Sequence, residues 1–284
     1  MRQLLLVLVA ASLAGCARPQ ERQGSIQVKG SDTMVNLVQA WAAAYMREHP
    51  GTSVAVTGGG SGTGIAALIE GTTDVAACSR EMAPEEIRQA QRNGITPVRH
   101  AVALDALTVI VNPRNPVSRL SMGQLAAIYT GNITNWRQVG GPGQRIVALA
   151  RERNSGTHVF FLEHVLRGGN PRGKQEYAPG VLLLPSSQAI ADEVAANPQA
   201  IGYLGLGYYQ PGKQKAIAVA RTGAGPFVAP SVQSVRNRSY PLARPLLLYT
   251  SAHPRPAAAS FVAFVTTPEG QRIVQRLDFV PLPR

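Results

Sequence analysis

A chain of 284 residues, 45% hydrophobic and 15% charged, carries enough apolar material for one large or two moderate packed domains and is not a disordered protein. Its formal net charge is +12, yet aromatic residues make up 6% and no RNA or DNA recognition motif occurs, so nucleic acid is set aside as a partner. Five histidines, two cysteines and scattered acids show no metal-ligand spacing, so neither metal nor cofactor is expected.

The chain opens with Arg2, an apolar run from Leu4 to Ala14, and Leu13-Ala14-Gly15-Cys16. The run is too short to span a bilayer and has the order of a secretory signal. Its ending is similar to a bacterial lipobox, which makes residues 1–15 a lipoprotein signal peptide and Cys16 the lipidated first residue of the mature chain. An ordinary signal peptide ending near a cysteine is the alternative. Removing Arg2 leaves a formal charge of +11, read mostly as an arginine-rich solvated face with a minority of arginines at a site. Cys78 then has no intramolecular partner and reads as a small buried residue. Residues 16–24 are polar, contain Pro19 and suit a tether.

Ser25 to Lys29 alternates like a half-buried strand, and Gly30-Ser31-Asp32-Thr33 opens a helix with Met34, Leu37, Val38, Trp41 and Tyr45 on one face. Ser31 or Asp32 can cap it. A second strand, Thr52 to Thr57, runs into Gly58-Gly59-Gly60-Ser61-Gly62-Thr63-Gly64 and an apolar helix that stops at Gly71. This glycine-rich turn reads as an anion cradle with Ser61 as cap, since backbone donors and the positive end of the helix dipole converge there. Asp74 to Cys78 is a third strand, ending in Ser79-Arg80. Polar groups gather at the carboxyl ends of strands, the edge where open α/β sheets bind ligands. Pro84 to Asn93 is a charged surface helix.

Val98 to Val111 is a long apolar run interrupted by Asp105 and read as the first crossing between two domains. Ser121 to Tyr129 is helical, and Gly131 to Trp136 is a polar turn. Arg145 to Arg151 is a strand that leads through Glu152-Arg153-Asn154 to Ser155-Gly156-Thr157 and a helix with Phe161, Leu162, Val165 and Leu166. Here a strand-end arginine joins a Ser-Gly-Thr turn, and arginine is well shaped to hold an oxyanion with two donors. Gly168 to Tyr177 is a basic loop, Ser186 to Ala196 a helix, Ala200 to Tyr209 a strand and Gly223 to Pro230 a loop. Arg244 to Tyr249 is the returning crossing, and one last helix covers Ala257 to Arg276. His158, next to the Ser-Gly-Thr turn, has no acid partner in sequence, so a nucleophile and base pair is not supported.

Together these stretches resemble the periplasmic phosphate-binding proteins of ABC transporters, from Gly30-Ser31-Asp32-Thr33-Met34 and Gly59-Gly60-Ser61-Gly62-Thr63-Gly64 onward. Asp74 to Arg80, Ile128 to Trp136, Arg151 with Ser155-Gly156-Thr157, Ile201-Gly202-Tyr203 and Tyr240 to Leu246 complete the likeness. The resemblance implies an α/β, two-lobed, type II-like periplasmic-binding-protein fold. Each lobe would be a mainly parallel or mixed sheet flanked by helices, and two hinge strands would join them. Residues 25–105 and 244–284 would form one lobe, and 106–243 the other. It further implies phosphate held by Ser31, Asp32, Thr33, the Met34 N–H, Ser61, Ser79, Arg80, Arg151, Ser155, the Gly156 N–H and Thr157. The position of the family's proton-accepting Asp is Ser79 here, with Asp32 as a possible stand-in. The acid that orients the arginine is replaced by Arg153, leaving Glu152 as a candidate.

The implied function is that of a lipid-anchored, exported monomer that captures inorganic phosphate and passes it to membrane permease subunits without turnover. A phosphate or oxyanion sensor or adhesin on the same fold is one alternative. A phosphate-ester hydrolase using Ser155 or Ser61 is another.

Overall fold

The computed structural model describes residues 24–170 and 172–283. The expected signal peptide, Cys16 and the expected tether up to residue 23 lie outside the described residues. β1 (Ser25–Gly30) leads through a 3-10 turn at Asp32–Met34 into α1 (Val35–Glu48), whose Leu37, Val38, Trp41 and Tyr45 are buried as their spacing requires. β2 (Ser53–Thr57), α2 (Ser61–Ile69) and β3 (Val75–Cys78) follow, then α3 (Pro84–Arg92), a surface helix that buries only Ala90. β4 (Pro97–Val111) is the long apolar run. After it come β5 (Arg119–Ser121), α4 (Met122–Tyr129), β6 (Val147–Arg151), α5 (Gly156–Phe161), β7 (Leu182–Leu184), α6 (Ser187–Ala196) and β8 (Ala200–Gly205). β9 (Lys215–Ala216), β10 (Ala218–Ala220) and α7 (Val232–Arg236) precede the returning strand β11 (Ala243–Ser251), followed by α8 (Pro256–Thr266) and α9 (Pro268–Arg276).

A nine-stranded sheet runs β2-β1-β3-β11-β4-β8-β6-β7, with β9 also on β4. β1 lies parallel to β2 and β3, and β6 parallel to β7 and β8. β11 is antiparallel to β3 and β4. β4 is shared: its residues up to Ala106 pair with β11, and Leu107 to Val111 pair with β8. Each half of the sheet has its own core. Ile26, Trp41, Phe261 and Ile273 pack together on one side, and Tyr129, Trp136, Phe161 and Tyr203 on the other. Helices also cover the opposite faces, through Leu68 and Ile69 in the first half and Ile190 and Val194 in the second. This is a two-lobed α/β fold joined by two hinge strands, β4 and β11.

Three elements differ from the sequence pattern. The strand expected over Ala200 to Tyr209 ends at Gly205 and continues as a 3-10 turn, Leu206–Tyr208. There the Leu206 N–H bonds the Asp105 carboxylate at 3.0 Å instead of a neighbouring strand. The single C-terminal helix is two, because Pro268 has no N–H to continue the ladder and Thr267 is extended, its hydroxyl accepting from the Gly270 N–H at 3.2 Å. The helix after Ser155 widens to π pitch over Leu162–Leu166.

Candidate functional site

The carboxyl ends of β1, β3 and β6 open onto polar turns that meet between the halves of the sheet. Thr33 lies in the turn after β1, Ser61 begins α2, Ser79 follows β3, and Ser155-Gly156-Thr157 begins α5. The Thr33 and Thr157 hydroxyls, 124 residues apart in sequence, are 2.9 Å apart. Ser61 Oγ accepts from the Ser79 N–H at 3.0 Å and lies 3.3 Å from Ser79 Oγ. Gly156 completes the cluster, for a Cβ there would stand 2.2 Å from Ser61 Oγ and 2.7 Å from Ser79 Oγ. All five hydroxyl residues are buried. Buried hydroxyls gathered in this way offer donors suited to an oxyanion.

Two buried arginines flank the cluster, each neutralised by an aspartate. Arg151 donates through Nη1 to Asp32 Oδ2 at 2.7 Å and to Ser187 Oγ at 3.1 Å. Its Nη2 and Nε reach the Pro185 and Leu184 carbonyls. Arg244, at the start of β11, donates twice to Asp105 Oδ2, at 2.9 and 3.0 Å, once to Thr157 Oγ1 at 3.1 Å and once to the Ser79 carbonyl at 3.2 Å. Counting the bonds among the described residues, each guanidinium keeps one N–H beyond those its protein partners take. Burial pulls the Arg244 pKa down, opposed by Asp105.

Several expected roles change. Ser61 is not a capping side chain: Gly60 precedes the helix, and the Ser61 hydroxyl turns toward Ser79. Ser31 and Asp32 do not cap α1 either, because a 3-10 turn intervenes. Asp32 Oδ2 accepts from Arg151 and from both the N–H and hydroxyl of Ser187, so Asp32 supplies the acid that orients Arg151. Glu152, the sequence candidate for that task, is exposed. The Met34 N–H donates to the Ser31 carbonyl at 3.1 Å, and its side chain is core. Among the described residues Arg80 makes no hydrogen bond to the cluster: it forms a bidentate pair with Glu86 at 2.7 Å, and its buried Nε has no partner. The glycine-rich turn serves lobe contact: the Gly62 N–H donates to the Asn154 carbonyl at 2.9 Å, and Asn154 Nδ2 to the Gly59 carbonyl at 2.7 Å. A Cβ on Gly60 would stand 2.7 Å from that Asn154 carbonyl oxygen.

Ser155 does act as a cap, accepting from the Thr157 and His158 N–H groups, which leaves its own proton to donate. His158 Nδ1 lies 2.7 Å from the Arg151 carbonyl, and no carboxylate among the described residues is a hydrogen-bond partner of its ring. Burial pulls its pKa below the usual histidine value. Arg244 is the member of the cluster that sequence reasoning missed. Its signal was a charge at the start of an apolar hinge strand, matched by Asp105 inside the other.

Residues 17–269 match the PBP superfamily domain. The phosphate-binding protein PstS of Pseudomonas aeruginosa is 31% identical over 277 residues, 92% of this chain and 84% of that protein. The chain belongs to the PstS-like phosphate-binding proteins of the PBP superfamily. Another relative in sequence is the protein SphX of Synechococcus elongatus, 32% identical over 99% of this chain and 84% of its own length. Among solved structures, a Clostridium perfringens substrate-binding protein with bound phosphate superimposes with a TM-score of 0.81. It is 29% identical, over 91% of this chain and 100% of that one. An ABC-type phosphate transport receptor from Vibrio cholerae gives 0.73 at 30% identity, with the same coverage.

Proposed function

We infer that the chain is an exported receptor that captures inorganic phosphate between its lobes and delivers it to the permease subunits of an ABC transporter. The observation that carries this reading is the meeting of Thr33, Ser61 and Ser79 from one side with Gly156 and Thr157 from the other, inside the distances of ordinary contact. Thr33, Ser61, Arg151, Ser155, the Gly156 N–H and Thr157 donate to the anion. Ser79 Oγ accepts the proton that monohydrogen phosphate keeps. Asp32 holds Arg151. Charge-assisted bonds contribute about 1.5 to 3 kcal/mol each, so a handful covers the roughly 8 kcal/mol of micromolar binding.

The lobes divide as 25–105 with 244–284, and 106–243, a boundary supported by the change of partner along β4 at Ala106. The protein works as a monomer, held to a bacterial membrane by lipid on Cys16 after loss of residues 1–15. No helix among the described residues is long and apolar enough to cross a membrane. Its chemistry is binding without turnover, in keeping with the capping role of Ser155 and a His158 that has no acid hydrogen-bond partner among the described residues.

Titration calorimetry on the chain beginning at Ser25, with phosphate and then sulfate, tests the reading. Phosphate binds in the micromolar range or tighter and sulfate more weakly by about tenfold or less, because the Ser79 hydroxyl accepts the phosphate proton yet can also turn and donate to an unprotonated sulfate oxygen. Equal binding of both would reduce the site to a general oxyanion receptor, and binding of neither would refute the function.

A further inference from the structure

The two hinge strands carry opposite charges in facing register, Asp105 of β4 against Arg244 of β11. Both side chains are shielded from solvent, at 0% and 1% exposure. A dry ion pair is a weak source of stability compared with apolar side chains of the same volume. Stability alone is therefore a poor reason for its presence. Arg244 also reaches beyond its partner: Nη1 donates to the Ser79 carbonyl at 3.2 Å and Nη2 to Thr157 Oγ1 at 3.1 Å. Its guanidinium lies 5.4 Å above the Phe160 ring, which helps fix its plane. One planar group thus touches both hinge strands, the end of β3 and a hydroxyl of the opposite lobe.

A guanidinium only donates. Thr157 Oγ1 therefore commits a lone pair to Arg244, and its own proton must point away from that nitrogen. Among the described residues the other hydrogen-bond neighbour of Thr157 Oγ1 is the Thr33 hydroxyl at 2.9 Å, and Gly156, the preceding residue, packs against the Ser61 and Ser79 hydroxyls. We propose that Arg244 is a positioning residue that makes Thr157 a hydrogen-bond donor to the bound oxyanion and ties that hydroxyl to the hinge. A hydroxyl that accepts from a cation is polarised and donates more strongly. Arg244 lies in a hinge strand and Thr157 in the second lobe, so this bond ties the orientation of the hydroxyl to the hinge. The assignment rests on the phosphate reading and adds to it a residue that need not touch the ligand.

The test is a double-mutant cycle of Arg244→Lys and Thr157→Val, read as phosphate Kd by calorimetry, with thermal melts to establish folding. Lysine keeps a positive charge for Asp105 but cannot span Asp105, Ser79 and Thr157 at once. Arg244→Lys should weaken phosphate binding about tenfold or more when Thr157 is present. It should change binding by no more than about twofold in the Thr157→Val background, the signature of a residue acting through that hydroxyl. An equal loss in both backgrounds would overturn the proposal, since Arg244 would then act directly on the ligand or through the fold. No loss with Thr157 present would overturn it as well. If Arg244→Lys does not fold, Asp105→Asn with Arg244→Gln removes both charges together, and the same cycle with Thr157→Val is read by the same criteria. A parent chain that binds no phosphate refutes the functional reading itself, whereas an additive cycle in a chain that binds phosphate refutes the Arg244 role alone.

Discussion

Replacing Gly156 by alanine probes the closed site at its narrowest point. Gly156 does not have a positive φ, so alanine suits the backbone and is the better helix former. The added Cβ would stand 2.2 Å from Ser61 Oγ, about 1.2 Å short of an ordinary contact. Opening the cleft by that amount would stretch the 2.9 Å Thr33–Thr157 approach beyond hydrogen-bonding range. If two bonds to the anion are lost with it, at 1.5 to 3 kcal/mol each, the loss is about 3 to 6 kcal/mol. That corresponds to a rise in phosphate Kd of about a hundredfold to ten-thousandfold. The lobes have separate cores, so the ligand-free melting temperature should stay within about 3 °C of the parent. Calorimetry and a thermal melt on the same preparation provide both numbers. A Kd within about threefold of the parent would show that this contact does not set the closed geometry, and the reasoning from hydroxyl convergence would fail.

Asp32→Asn leaves a buried Arg151 without its carboxylate and should raise the phosphate Kd at least about tenfold, with a midpoint shift in urea unfolding recording the lost inter-lobe pair. Asp105→Ala strands the fully buried Arg244 charge and should destabilise the chain by about 3 to 5 kcal/mol in denaturant titration. The depressed His158 pKa sets a pH dependence. The unfolded chain takes up that proton first, so stability should fall as pH drops below about 6.5 and level off once the folded form is also protonated. His158→Asn should flatten the decline between pH 7.5 and pH 5.5 in melting temperature, and an unchanged slope would assign it to other groups.

What the sequence revealed followed from locality. The helical spacing of Leu37, Val38, Trp41 and Tyr45, and the strand, polar turn and helix units ending at Thr33, Ser61 and Ser155, depend on neighbours within a few residues. The side-chain partners did not. Asp32 and Arg151 meet across 119 residues of sequence and Arg244 and Thr157 across 87, which no local period records. The same limit explains Ser61, which carries a good capping side chain yet points to Ser79 because β3 ends beside it. Arg80 sits in a strand-end position that resembles a ligand's, but Glu86, six residues on, captures it. The break between α8 and α9 was legible in Pro268 and was overridden by the apolar spacing on either side.

Cys78 is wholly buried at the end of β3, and burial drives its thiol pKa far above the usual range. Such a thiol resists alkylation because almost none of it is thiolate. In a chain trimmed of Cys16, a cysteine placed at the exposed Arg153, beside the Asn154 seam, would be the one thiol a maleimide dye can reach. A single fluorophore there would turn the movement of one lobe against the other into an optical signal, without any native residue having to be removed from the interior.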